Sequence, residues 1–152
     1  MIKPSNLETA EALWALGMLP AEDLPDLAAD AIARGIESEA LVTLAGCSPQ
    51  ESQEITQLFE KYLKQKGGGM LKTHALRMCA KIVSQQILES KVTAQDGAKE
   101  IWRATLKARI EGFHELDGFI YAASEMEDRP REGNLFEKAI LEEARRWCNL
   151  AV

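Results

Sequence analysis

Asp23-Leu24-Pro25-Asp26-Leu27-Ala28-Ala29-Asp30-Ala31-Ile32-Ala33-Arg34-Gly35, resumed after Ile36 and Glu37 by Ser38-Glu39-Ala40-Leu41-Val42-Thr43-Leu44-Ala45-Gly46, carries the start and stop marks of two short helices. Proline suits the first helical turn, where its missing N–H costs nothing. Gly35 suits the left-handed residue that ends a helix. Ser38 then offers an N-cap oxygen to the next helix, which Gly46 closes.

The same punctuation extends in both directions. Ser5 and Glu8 have capping-box spacing, and Gly17 follows the apolar stretch at residues 13–16. Ser48, Pro49 and Glu51 announce a longer helix bearing Ile55, Leu58, Phe59, Tyr62 and Leu63. Gly67, Gly68 and Gly69 make the clearest break, because each would cost about 1 kcal/mol inside a helix. Beyond them, residues 70–89 place Leu76, Cys79, Ala80, Val83 and Ile87 on one stripe. Thr93 caps a helix with Ala98, Ile101, Trp102, Thr105 and Leu106 inward. Phe113, Leu116, Ile120 and Ala123 form the next face, with Gly112 as a bend before it. Asn134 caps the last helix, with Phe136, Ala139, Ile140, Ala144 and Trp147 apolar. No segment alternates apolar and polar residues, so the expectation is all-α: an irregular bundle of seven or eight helices without a sheet.

The glycines separate an acidic N-terminal helical half, residues 1–66, from a C-terminal helical half, residues 70–152. A chain of 152 residues predicts one compact domain joined at residues 67–69. No apolar run approaches the ~20 residues of a membrane span. The expectation is a cytoplasmic protein with no membrane partner. Three cysteines, Cys47, Cys79 and Cys148, form no disulfide framework.

The net charge is -6, gathered in blocks. Residues 8–39 hold eight acids against Arg34, and residues 110–143 hold ten acids against three bases. Residues 72–109 hold eight bases against three acids. One reading packs the basic block between the acidic ones and evens out the surface. The other leaves acid free to steer a basic protein partner, through Glu22, Asp23, Asp26, Asp30, Glu37 and Glu39.

Constellations that carry chemistry are few. Glu111, His114 and Asp117 are spaced to share a helix face, and Glu-x-x-His is half of a di-iron site. The second half is missing, since Leu71 stands three before His74. No metal, no cofactor and no catalytic residue is therefore assigned, and the three remain an alternative ligand site. Cys79 sits on the apolar stripe as a small hydrophobe. Cys47, near a predicted helix N-terminus, is the candidate exposed thiol, with a pKa lowered there. The glycine run lacks the strand and the Gly-Lys-Ser/Thr of a phosphate loop. Ala31, Gly35 and Leu41 match helix-turn-helix spacing. The second helix has no cation, so phosphates would repel it and no nucleic-acid partner is expected. Trp14, Trp102 and Trp147 read as core anchors.

The stretch from Leu19 to Gly35, continued from Glu39 to Gly46, resembles a segment that recurs in small uncharacterised bacterial helical proteins, and it carries no catalytic signature. A small acidic all-helical chain is also similar in type to immunity proteins that neutralise a toxin. Three functions follow. The first is a non-enzymatic, immunity- or antitoxin-like module that binds a basic partner. The second is a helical ligand- or metal-binding protein or enzyme using Glu111, His114 and Asp117. The third is a helix-turn-helix regulator.

Overall fold

The structure, a computed structural model, describes residues 2–151. Eight α-helices and two short 3-10 turns account for its regular structure, and no strand occurs among the described residues. The chain divides into two compact units, residues 3–71 and residues 72–151, with Ile2 belonging to the second.

The N-terminal unit holds α1 (Leu7–Ala15), α2 (Leu24–Ala33), α3 (Glu39–Ala45) and α4 (Ser52–Gln65). α2 packs on α1 and α3, and α3 packs on α4. Pro25 stands in the first turn of α2. Gly35 ends that helix at φ +98°, a conformation that a side chain would strain, and the Ile36 N–H reaches back to the Ala31 carbonyl. Ser38 Oγ accepts the Leu41 N–H at 3.2 Å, so α3 starts where the sequence places it. Two other starts differ. Asn6, not Ser5, caps α1, accepting the Thr9 N–H at 2.8 Å. Residues 48–51 form a turn before α4 in which the Ser48 N–H donates to Glu51, while the helix itself begins at Ser52. The core gathers Leu24, Leu41, Leu44, Ile55 and Phe59, with Trp14 edge-on to Phe59 at 5.1 Å.

The C-terminal unit holds α5 (Lys72–Leu88), α6 (Ala94–Ala108), α7 (Asp117–Asp128) and α8 (Gly133–Cys148). Short connections make consecutive helices antiparallel. Lys72 Nζ bonds the Ala108 carbonyl, and Lys99 pairs with Glu127 at 3.1 Å, joining opposite helix ends. α8 returns to pack on α5, which closes the ring. Thr93 caps α6 by accepting the Asp96 N–H. Three expectations shift here. Leu106 faces solvent, because the inner face of α6 is built from Gly97, Ala98, Ala104 and Ala108, whose small side chains admit a close neighbour. Phe119, not Ile120, is the buried centre of α7. Asn134 lies inside α8, which starts at Gly133 after the 3-10 turn Pro130–Glu132.

Cys79 lies in this core. Burial, with the Glu100 charge adding to it, pushes its thiol from 9.0 up to about 12. A folded pKa above the unfolded one leaves the thiol's contribution whole below pH 9 and drains it as pH rises toward 12. The loss amounts to about 1 kcal/mol per pH unit. Urea midpoints measured from about pH 8 to about pH 11 should therefore fall more steeply for the wild type than for Cys79→Ala. Parallel curves would show that the thiol is not buried as described.

Candidate functional site

The α2–α3 hairpin leaves a groove of about 690 Å³ lined by Ile32, Gly35, Ile36, Glu37, Ser38, Glu39, Val42 and Thr43. The local sequence explains it. The glycine cap turns the chain between α2 and α3, and Leu41 and Leu44 reach the core while Ile36 and Val42 stay exposed. Ile36 is 40% exposed and Val42 59%. Two branched apolar side chains thus face solvent beside the exposed carboxylates Glu37 and Glu39. Thr43, which also lines the groove, donates its hydroxyl to the Glu39 carbonyl at 3.1 Å.

The six acids expected to meet a partner do not form one patch. Glu37 and Glu39 line the groove. Asp30 is tied to Arg34 at 3.0 Å. Glu22, Asp23 and Asp26 gather at the start of α2, where acids also complement the helix dipole. That end is about 15 Å away, the length of a ten-residue helix. Apart from Asp30, none of the six forms an ion pair among the described residues. The later acidic block behaves differently. Glu115 pairs with Arg77, Glu127 with Lys99, Glu125 and Glu132 with Arg129, and Glu143 with Arg146. Half of its ten carboxylates are therefore compensated, two of them by the basic block before it. The reading in which bases even out the surface holds for this unit, and free acid remains on the other.

Glu111, His114 and Asp117 do not share a helix face. α7 begins only at Asp117, and Gly112 at φ +73° turns the chain between the first two. His114 Nδ1 lies 3.1 Å from Asp117 Oδ2, and both side chains are well exposed. Glu111 is exposed in the turn. His74 is half-buried on α5. Spacing of three misled because it was assumed to be helical spacing.

Two features escaped sequence reasoning. Cys47, Glu51 and Glu54 bring one ligand atom each to within 4.8 Å of one another, the one such group among the described residues able to hold a metal ion. The expected lowering of the Cys47 pKa is reversed. Burial raises it, as do the charges of Glu54 and Glu51. Cys47 follows the C-terminal end of α3, and its thiol donates to the Thr43 carbonyl, so it faces negative groups and not a helix N-terminus. The Ser48 N–H and a hydrogen bond from Glu54 hold the Glu51 carboxyl low, and that bond with the Glu51 charge raises Glu54.

The second is an ion pair whose carboxylate is buried. Glu11, 6% exposed on α1, meets Lys66 Nζ at 2.6 Å. Burial alone would lower the Lys66 pKa, but the Glu11 hydrogen bond and charge raise it on balance. Burial raises the Tyr62 hydroxyl, the Lys66 charge opposing and the Glu11 charge assisting. A charged residue among Leu7, Ala10 and Leu13 was the available signal. No protein-family model matches the chain, and no match is found among curated proteins or solved structures.

Proposed function

We propose that the chain is a non-enzymatic interaction module of bacterial type, immunity- or antitoxin-like, that works in the cytoplasm and docks a basic protein partner on the α2–α3 hairpin. The observation that carries the reading is the groove. Exposed Ile36 and Val42 line it together with Glu37 and Glu39, and Arg34, just before it in the chain, is paired with Asp30. An apolar floor supplies affinity when water leaves it. An acidic rim selects cationic partners and speeds their approach. Three unpaired cysteines fit a reducing compartment.

A labelled amphipathic peptide of leucine and arginine tests this by fluorescence anisotropy. Val42→Glu should weaken binding about tenfold or more without unfolding the protein, since Val42 packs into no core. Added salt should slow association with the wild type. Equal binding by wild type and Val42→Glu would remove the groove from the account.

A further inference from the structure

We infer that the cleft next to the groove is a pocket for one cationic side chain of the same partner, and that Lys66 holds the buried carboxylate of that pocket in the free protein. The inference rests on the docking reading above and adds a second anchor to it. This cleft, of about 450 Å³, is lined by Glu8, Glu11, Tyr62 and Lys66 among others, and by Ile36. Ile36 lines the groove as well, so the two hollows meet at one exposed side chain. A segment lying across Ile36 would reach both.

The chemistry of the cleft calls for a cation. The Glu11 carboxylate is buried and bonds only Lys66 among the described residues. A buried carboxylate left without a positive partner is strongly disfavoured, because it has lost its hydration and gained nothing in return. Lys66 Nζ also stands 5.8 Å from the centroid of the Tyr62 ring. A carboxylate beside an aromatic face recognises ammonium and guanidinium groups. Glu8, one turn before Glu11, is exposed at the rim and forms no ion pair among the described residues.

The Lys66 side chain is 42% exposed, and it follows the last residue of α4, immediately before Gly67 and Gly68. An incoming arginine exchanges one cation for another, so the charge balance around Glu11 is kept. Its guanidinium presents a planar fork of donors, which suits Glu11 and Glu8 together better than an ammonium does. While Lys66 bonds Glu11 that carboxylate is engaged, and the apparent affinity for an incoming cation is lowered by that occupancy.

The test compares the leucine–arginine peptide with its citrulline counterpart, which keeps the shape and loses the charge. Glu11→Gln should weaken the arginine peptide about tenfold and leave the citrulline peptide unchanged. Lys66→Met should tighten the arginine peptide by a similar factor. Tyr62 ring signals in the wild-type protein give a readout that needs no variant, and they should shift with the arginine peptide alone. Tyr62 signals that stay fixed while the Val42 amide titrates to saturation would overturn the inference and leave the groove standing. An absence of any Val42 shift with either peptide would overturn the docking reading beneath it.

Discussion

Replacing Trp147 with alanine should cost about 3–5 kcal/mol and lower the thermal midpoint by many degrees. Trp147 is 1% exposed and is the largest fully buried side chain of the C-terminal unit. It projects from the last turns of α8, the helix that closes the ring on α5 and α7. Alanine there would leave a void that helices fixed by short connections cannot collapse. Phenylalanine should be far milder, for a reason specific to this site. Trp147 Nε1 has no hydrogen-bond partner among the described residues, and neither does Ser84 Oγ on the facing helix α5. Removing an unpaired buried donor recovers part of what the smaller ring loses. Urea titrations of the three proteins check this. A loss below about 1 kcal/mol for alanine would mean that the indole is not the keystone described.

Gly97→Leu is the second large effect, and it tests how closely α5 and α6 approach. A Cβ added at Gly97 would stand 2.5 Å from Ile87 Cδ1, 2.6 Å from Ile87 Cγ1 and 3.2 Å from Val83 Cγ1. Those atoms belong to the buried stripe of α5, so they cannot swing into solvent. Forcing atoms into a filled core costs typically about 1–3 kcal/mol, and leucine adds several where even one has no room. Alanine should also destabilise, despite a helix-propensity gain of about 1 kcal/mol. Gly118→Ala is the control. Its Cβ would meet only the Glu143 side chain, at 3.0 Å, and that side chain can move aside. Midpoints should be unchanged or slightly raised for Gly118→Ala and clearly lowered for both Gly97 variants. Equal behaviour at the two glycines would contradict the close α5–α6 contact.

What the sequence made legible was the set of helices and most of their inward faces. Ser38, Thr93, Pro25 and Gly35 act locally, through caps and φ preferences, and such signals survive without tertiary information. Leu106 was misplaced because hydrophobicity alone orders leucine before alanine, whereas the packing of α6 selects for small volume. Glu111, His114 and Asp117 were misjudged for a related reason: periodic spacing has meaning only inside a helix, and Gly112 stops one from forming there. The acidic block at residues 110–143 looked more available than it is, partly because two of its counter-ions, Arg77 and Lys99, come from distant positions. The groove itself needed coordinates. Glu37 and Glu39 were singled out by charge, but the exposure of Ile36 and Val42 beside them in one groove emerges only from the packed structure.

The most direct test of the central claim is a backbone-amide NMR titration of the whole protein with the leucine–arginine peptide. The account predicts saturable shifts concentrated at residues 32–43, fading as salt is added and absent with a leucine–glutamate peptide of the same pattern. Shifts centred on residues 110–143, or equal responses to the two peptides, would contradict it.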